Sequence, residues 1–179
     1  MDVDVFALQL LEEAKRFLEK AATAGTDPER DAYVHASLLL AFAAFEAHIN
    51  SIAEDFMVRS DLPIPDRSVL SEKEFQLDEG KWSLTDRLRM YRLEDRLEHL
   101  QRTFSTAPLD KSQPYWSHLK EGIHLRNRLT HAKQLEPISP DQAAKAIAAI
   151  IQSLDSLYLA IYKRRLPAAA RGLSSTLDF

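Results

Sequence analysis

Apolar residues recur at helical spacing along most of this chain of 179 residues. The longest stripe is spaced by three or four positions and consists of Val34, Leu38, Phe42, Phe45, Ile49, Ile52 and Phe56. Asp27 as a cap and Pro28 at the first helical position predict where this helix begins. Pro63 and Pro65 predict that it ends before them. The stripe therefore indicates one amphipathic helix of about seven turns.

Four other segments carry the same helical pattern. We predict helices over residues 4–22, 83–104, 114–133 and 140–165. Ser83, with Asp86 three positions later, approximates a capping box for the second of these. The last begins with Ser139-Pro140-Asp141-Gln142, which combines a serine cap, a proline at the first position and a glutamine at the third. Residues 60–82 are predicted to be a connection, with a short helix near residues 71–75.

These segments predict an all-α fold, a compact bundle of about five helices that forms a single domain over residues 1–166. Only four glycines are present, which disfavours a turn-rich sheet. The tail, residues 167–179, is small and polar, and we expect it to be disordered.

The composition of the chain restricts the cellular compartment in which we expect it. The absence of cysteine excludes disulfides and thiolate metal sites and fits a reducing cytoplasm. The longest uninterrupted apolar run, residues 38–45, is far shorter than the roughly 20 residues of a membrane span. We therefore expect a cytoplasmic protein that does not bind a membrane.

Charge is distributed unevenly along the chain. The formal net charge is -4, which argues mildly against a nucleic-acid-binding protein. Residues 116–133, however, contain Lys120, Arg126, Arg128 and Lys133 against the single acid Glu121, and three histidines in addition. The predicted fourth helix is therefore basic within an acidic protein.

The end of that helix carries the candidate chemistry. Residues 126–131 read Arg-Asn-Arg-Leu-Thr-His. A guanidinium can hold a phosphate through two parallel hydrogen bonds, and an imidazole can move a proton near neutral pH. Arg126, Asn127 and His131 are the candidate catalytic residues. Lys120, His124 and Arg128 share the polar arc of the helix and are candidates for attracting RNA, although ordinary solvation explains them equally well.

Arg126 lies on the apolar side of the helix at about 100° per residue, about 140° from His131. A permanent charge there needs a partner or an opening. Three alternatives remain open: an ion pair, with Glu46 on the flank of the second helix as candidate partner; a distortion that brings Arg126 and His131 together; or contact with another subunit.

Metal chemistry is not indicated by the pattern. His124 and His131 share a face but are two turns apart, about 10.5 Å along the axis, too far for one ion with bonds of about 2 Å. The chain has no His-Glu-x-x-His motif and no glycine-rich phosphate loop. We expect neither a metal nor a cofactor.

The segment Trp116–His131, WSHLKEGIHLRNRLTH, resembles the motif helix of the HEPN superfamily. That family is marked by an arginine followed after four to six residues by a histidine, often with asparagine directly after the arginine. Arg126, Asn127 and His131 match this pattern, and the stretch Phe42–Asn50 also resembles HEPN proteins of the RiboL-PSP kind. The resemblance covers roughly residues 5–165.

The resemblance implies a helical bundle that forms a two-fold dimer with both motifs facing across the interface. It also implies metal-independent cleavage of RNA, often by a toxin that an antitoxin or another regulatory protein neutralises. His131 would act as general acid or base, Arg126 would hold phosphate oxygens, and Asn127 would orient the phosphate or the histidine. The alternative is a non-catalytic interaction or nucleotide-binding module of the same fold.

Overall fold

The computed structural model describes residues 3–131 and 137–179. The helices are α1 (Val3–Ala22), α2 (Asp27–Met57), α3 (Ile64–Ser71), α4 (Leu93–Phe104), α5 (Pro114–Thr130) and α6 (Pro140–Tyr162). A hairpin of β1 (Lys73–Asp78) and β2 (Lys81–Leu88) lies between α3 and α4, and a short 3₁₀ helix, Pro167–Arg171, follows α6. The predicted all-α bundle is confirmed, because this two-stranded sheet is a small addition to a predominantly helical fold.

Helix α2 is the centre of the bundle, and α1, α5 and α6 all pack against it. The predicted stripe faces the core: its first six members are at most 2% exposed, and Phe56 stacks on Phe104 with ring centroids 3.8 Å apart. The cap of α2 differs from the prediction. Thr26, not Asp27, is the N-cap, and its hydroxyl accepts a hydrogen bond from the backbone N–H of Glu29 at 3.3 Å.

The prediction of a helix over residues 83–104 is wrong in its first half. Residues 81–88 form β2, which pairs antiparallel with β1, and Trp82 lies opposite Leu77. Glu79 and Gly80 both have positive φ, at 45° and 77°, which is the backbone of the tight turns that join two strands. Only α4 keeps the predicted helix. The segment of residues 60–82 likewise contains α3 and β1 in place of a connection with a helix near residues 71–75.

The expected disorder of residues 167–179 is also corrected. After the 3₁₀ helix, the chain returns to α1, where the backbone N–H groups of Ser175 and Thr176 donate to the carboxylates of Glu19 and Glu12 at 2.9 and 2.6 Å. The buried ammonium of Lys15 donates to the carbonyl of Ala168 at 3.0 Å. The tail is therefore attached to α1 by polar contacts that apolar periodicity does not reveal.

Helix α6 begins as predicted. Ser139 and Gln142 form the complete capping box, with bonds of 3.2 and 2.9 Å. Helices α2 and α6 are each long and apolar enough to cross a membrane by length and composition. Over half of each apolar window is buried within the bundle, and a core helix passes the same test, so this is only weak evidence for a membrane span.

Candidate functional site

The candidate site lies at the C-terminal end of α5. Pro114 occupies the first turn, where its missing N–H costs nothing. The helix remains regular to Thr130, whose hydroxyl donates to the carbonyls of Arg126 and Asn127 at 3.0 and 3.3 Å. His131 is the C-cap, and its N–H donates to the carbonyl of Asn127 at 2.9 Å. These bonds engage the carbonyls of Arg126 and Asn127 without a glycine cap.

The two faces of α5 divide as the sequence predicts. Leu119, Gly122, Ile123 and Leu125 are buried, whereas the polar arc is exposed: Lys120, His124, Asn127, Arg128 and His131. The predicted end near Lys133 falls among residues that the structure does not describe, and the helix itself ends at Thr130. The imidazole of His131 is therefore presented where the helix stops.

Arg126 pairs with Glu46, the partner proposed from the sequence. Its Nη2 lies 2.9 Å from Oε1 of Glu46, and the guanidinium also lies over the ring of Phe42, 5.5 Å from its centroid. The Arg126 side chain is 26% exposed and that of Glu46 is 45% exposed. The pair is therefore open to solvent on one side, and of the three alternatives for Arg126 the ion pair is the one observed.

An open cavity of about 330 Å³ adjoins this pair, and we call it the α5 cavity. It is bounded by α2, by the connection from the hairpin into α4, and by α5. Its lining consists of Glu46, Asn50, Glu72, residues 90–94, Arg96, Ile123, Arg126 and Asn127. Arg126 and Asn127 therefore face one shared space, with Glu46 between α5 and α2.

The other candidate residues lie outside this lining. His131, Lys120 and Arg128 are exposed on α5 but do not line the cavity. Within the described part of one chain, the structure therefore brings together Arg126, Asn127 and Glu46 but does not bring His131 into the same cavity. The convergence of Arg126 and His131 by helix distortion is not observed.

His124 is exposed on α5, and it interacts electrostatically with Glu94, which lines the cavity. Burial alone would raise the pKa of Glu94. Hydrogen bonds from its own backbone N–H and from Arg92, together with the charges of Arg92 and His124, outweigh burial and lower that pKa.

Several lining residues were not predicted from the sequence. Arg96 is 4% exposed and pairs with Glu72 at 3.0 Å. Burial lowers the pKa of Arg96, and the carboxylates of Glu72 and Glu46 oppose that shift. Asn50 could have been found, because it lies four positions after Glu46 and so shares its face of α2. Residues 90–94 could not have been found in this way, because the apolar pattern assigned them to a continuous helix.

Two further features of the described residues bear on their chemistry. Among residues 3–131 and 137–179, no three His, Asp or Glu side chains group closely enough to hold a metal ion. A larger cavity of about 650 Å³ lies at the C-terminal end of α4, against the loop of residues 105–111, and none of the motif residues lines it.

Comparison of the chain with protein-family models, with curated proteins and with solved structures found no match. The fold and the site by themselves define a predominantly helical bundle. Its polar cavity is flanked by an arginine and an asparagine near the end of α5.

Proposed function

We propose that this protein is a metal-independent endoribonuclease that works as a homodimer in the cytoplasm. The observation that carries the proposal is the position of Arg126 and Asn127 on the wall of an open cavity, one turn before the exposed His131. RNA carries its own nucleophile in the 2′-hydroxyl. The protein therefore needs only to align that group with the phosphorus, transfer protons and stabilise the developing charge.

Arg126 has hydrogen-bonding capacity left for a phosphate. A guanidinium carries five N–H donors in a fixed plane, and in the described residues only Nη2 is engaged, by Glu46. The Nε atom is buried and has no hydrogen-bond partner there. Glu46 therefore orients the guanidinium and leaves donors free, and a phosphate at the mouth of the cavity could use them.

His131 is assigned proton transfer. Because it does not line the cavity of its own chain, we place a second copy opposite α5, so that imidazoles of two chains flank one ribose-phosphate link. One removes the proton of the 2′-hydroxyl while the other protonates the leaving 5′-oxygen. The products are a 2′,3′-cyclic phosphate and a 5′-hydroxyl, and DNA is not cut because it lacks the 2′-hydroxyl.

The test uses purified protein, a mixed RNA pool and EDTA, followed by sequencing of the cut ends. We expect cleavage that persists in EDTA, and a loss of about 100-fold or more in His131→Ala, because general acid–base catalysis contributes about 10²–10⁴-fold. His118→Ala, on the same helix, is the matched control and should retain activity. Full cleavage by the His131→Ala protein would end the proposal.

A second candidate is a non-catalytic interaction or nucleotide-binding module. It is favoured by the ion pair of Glu46 with Arg126 and by the position of His131 outside the cavity lining. Growth of cells that express the protein separates the two functions. A ribonuclease toxin slows growth and its His131→Ala form does not, whereas a binding module affects growth equally in both forms or not at all.

A further inference from the structure

The α5 cavity is polar in its lining but balanced in charge. Its three arginines face three glutamates in pairs: Arg126 with Glu46 at 2.9 Å, Arg96 with Glu72 at 3.0 Å, and Arg92 with Glu94. The charges cancel, and the three carboxylates would repel a phosphate that entered deeply. The interior therefore suits a neutral ligand, while any phosphate remains at the mouth beside Arg126.

The shape of the cavity limits the size of that ligand. A volume of about 330 Å³ lies at the lower end of the roughly 300–1,000 Å³ typical of small-molecule sites. The buried side chains of Ile123 and Leu93 form an apolar wall of the cavity. The more exposed Tyr91 and Met90 extend this wall. One heterocyclic ring system fits such a space better than a longer ligand.

Two carboxamides in the lining lack partners in the described part of the chain. The side chains of Asn50, on α2, and Asn127, on α5, are exposed, and neither carboxamide forms a hydrogen bond there. Each carries two donors and one acceptor. In nucleic-acid recognition, an asparagine pairs with adenine through the N6 donor and N7 acceptor of the base.

We infer that the α5 cavity binds the base of one RNA nucleotide next to the cut phosphate and that it prefers adenine. Asn50 recognises the edge of the base, and the apolar wall covers the ring. The link to cleavage rests on the proposed ribonuclease function, because Asn127 adjoins Arg126 and so places the base beside the phosphate. Binding of the base itself requires no cleavage.

The first test measures the binding of single nucleosides and nucleotides to the full chain. Calorimetry gives the affinity, and NMR of the asparagine side-chain amides reports which carboxamide is contacted. We expect adenosine and AMP to bind with similar affinity, because the base provides the contacts, and inorganic phosphate not to displace adenosine. Asn50→Ala should weaken adenosine binding about tenfold, which corresponds to about 1.4 kcal/mol. Gln76→Ala, an exposed carboxamide on β1, is the matched control and should bind as the unaltered chain does.

Equal binding of all four nucleosides, no binding of adenosine, or an Asn50→Ala protein that melts normally and binds adenosine unchanged would overturn the inference. The second test is the sequence of the cut ends, which should be enriched in adenine beside the cut and lose that enrichment in Asn50→Ala. Cleavage that depends on His131 but has no base preference refutes the cavity assignment and leaves the ribonuclease. Adenosine binding that depends on Asn50 without any RNA cleavage supports the cavity and refutes the ribonuclease.

Discussion

Nη2 of Arg126 lies 2.9 Å from Oε1 of Glu46, a contact that joins the C-terminal part of α5 to the middle of α2 across 80 positions of sequence. The pair is partly exposed, and pairs of that kind contribute only about 0–1 kcal/mol to stability. Its consequence is positional, because the carboxylate holds Nη2 of a guanidinium that lines the cavity.

Substitution of Glu46 should therefore change RNA cleavage more than folding. Glu46→Ala removes the acceptor that orients Arg126, and we expect kcat to fall about tenfold or more because misplaced groups lose rate steeply. Glu46→Gln keeps an acceptor oxygen and removes the competing charge, so KM for RNA should fall while kcat stays within about threefold. The free energy of unfolding should change by less than about 1 kcal/mol in either variant.

Lys145→Ala is the control for the Glu46 variants, because it removes an exposed ion pair with Asp141 on α6, away from the cavity. It should leave both kcat and KM unchanged. Identical kinetics of Glu46→Ala and Glu46→Gln would contradict the positioning role of the carboxylate.

The stability of the fold should decrease in mild acid because of His48. This buried imidazole contacts the Tyr158 hydroxyl through Nδ1 at 3.2 Å, while its Nε2 has no partner in the described residues. Burial lowers the pKa of His48 from the ordinary 6.5 to about 4, and the charge of Asp4 opposes this shift without cancelling it. Between those two pH values the unfolded chain binds a proton that the folded chain does not, so the free energy of unfolding falls as the pH falls.

The loss assigned to His48 amounts to roughly 3 kcal/mol across that window, at 1.36 kcal/mol per pKa unit. Urea unfolding at several pH values between 7.5 and 4.5 measures it. His48→Gln should flatten the pH dependence relative to the unaltered chain, whereas His35→Gln on the same helix should not. Parallel pH profiles for His48→Gln and the unaltered chain would refute the assignment.

The attachment of the tail to α1 predicts a measurable role for Ser175. Its hydroxyl donates to the carbonyl of Glu12 at 2.8 Å, and its N–H donates to Glu19 at 2.9 Å, a bond that helps to lower the pKa of that carboxyl. Ser175→Ala should lower the free energy of unfolding by about 1 kcal/mol. The neighbouring exposed Ser174, whose hydroxyl makes no hydrogen bond in the described residues, gives a neutral Ser174→Ala control. Equal stability of the two variants would indicate a detached tail.

How far the sequence predicts this fold depends on whether the determining contacts are local. The stripe of α2 and the capping box of α6 are encoded within a few residues of each other, and both are confirmed. The hairpin was missed because Leu84, Leu88 and Tyr91 have helical spacing. Gly80 is the glycine of the turn, and the residue before it, Glu79, takes a positive φ that its residue type does not predict. Leu88 is in fact 73% exposed on β2.

The same distinction applies to the site. Glu46 could be proposed as the partner of Arg126 because each lies on a predicted helix face and the charges are opposite. Glu72 and Arg96 reach the cavity only because the hairpin returns the chain to α2, and no spacing in the sequence encodes that return. His131 matches a motif, yet it does not line the cavity of its own chain, and its relation to the cavity rests on the proposed homodimer.

The close approach of α5 to α6 and α2 at Gly122 gives a final prediction about the motif helix. A Cβ at this position would lie 2.8 Å from the Ala146 Cβ and 3.2 Å from Cζ of Phe42. Alanine is the better helix former by about 1 kcal/mol, but the short contact with the rigid Ala146 must force α5 outward, and overpacking costs about 1–3 kcal/mol. Gly122→Ala should therefore lose about 1 kcal/mol of stability in spite of its propensity, and it should lower RNA cleavage because Arg126 moves with the helix.

Thermal unfolding and a double-mutant cycle measure the effect of Gly122→Ala. Gly25→Ala, whose added methyl group would be 3.8 Å from the flexible Glu29 side chain, is the control and should not destabilise the chain. By itself, Ala146→Gly should lower the stability because glycine has the poorer helix propensity. Combined with Gly122→Ala, it removes the short contact between the two methyl groups. The double variant should therefore lose less stability than the sum of the two single losses. Additive losses, or a more stable Gly122→Ala protein, would mean that α5 does not pack against α6 at this distance.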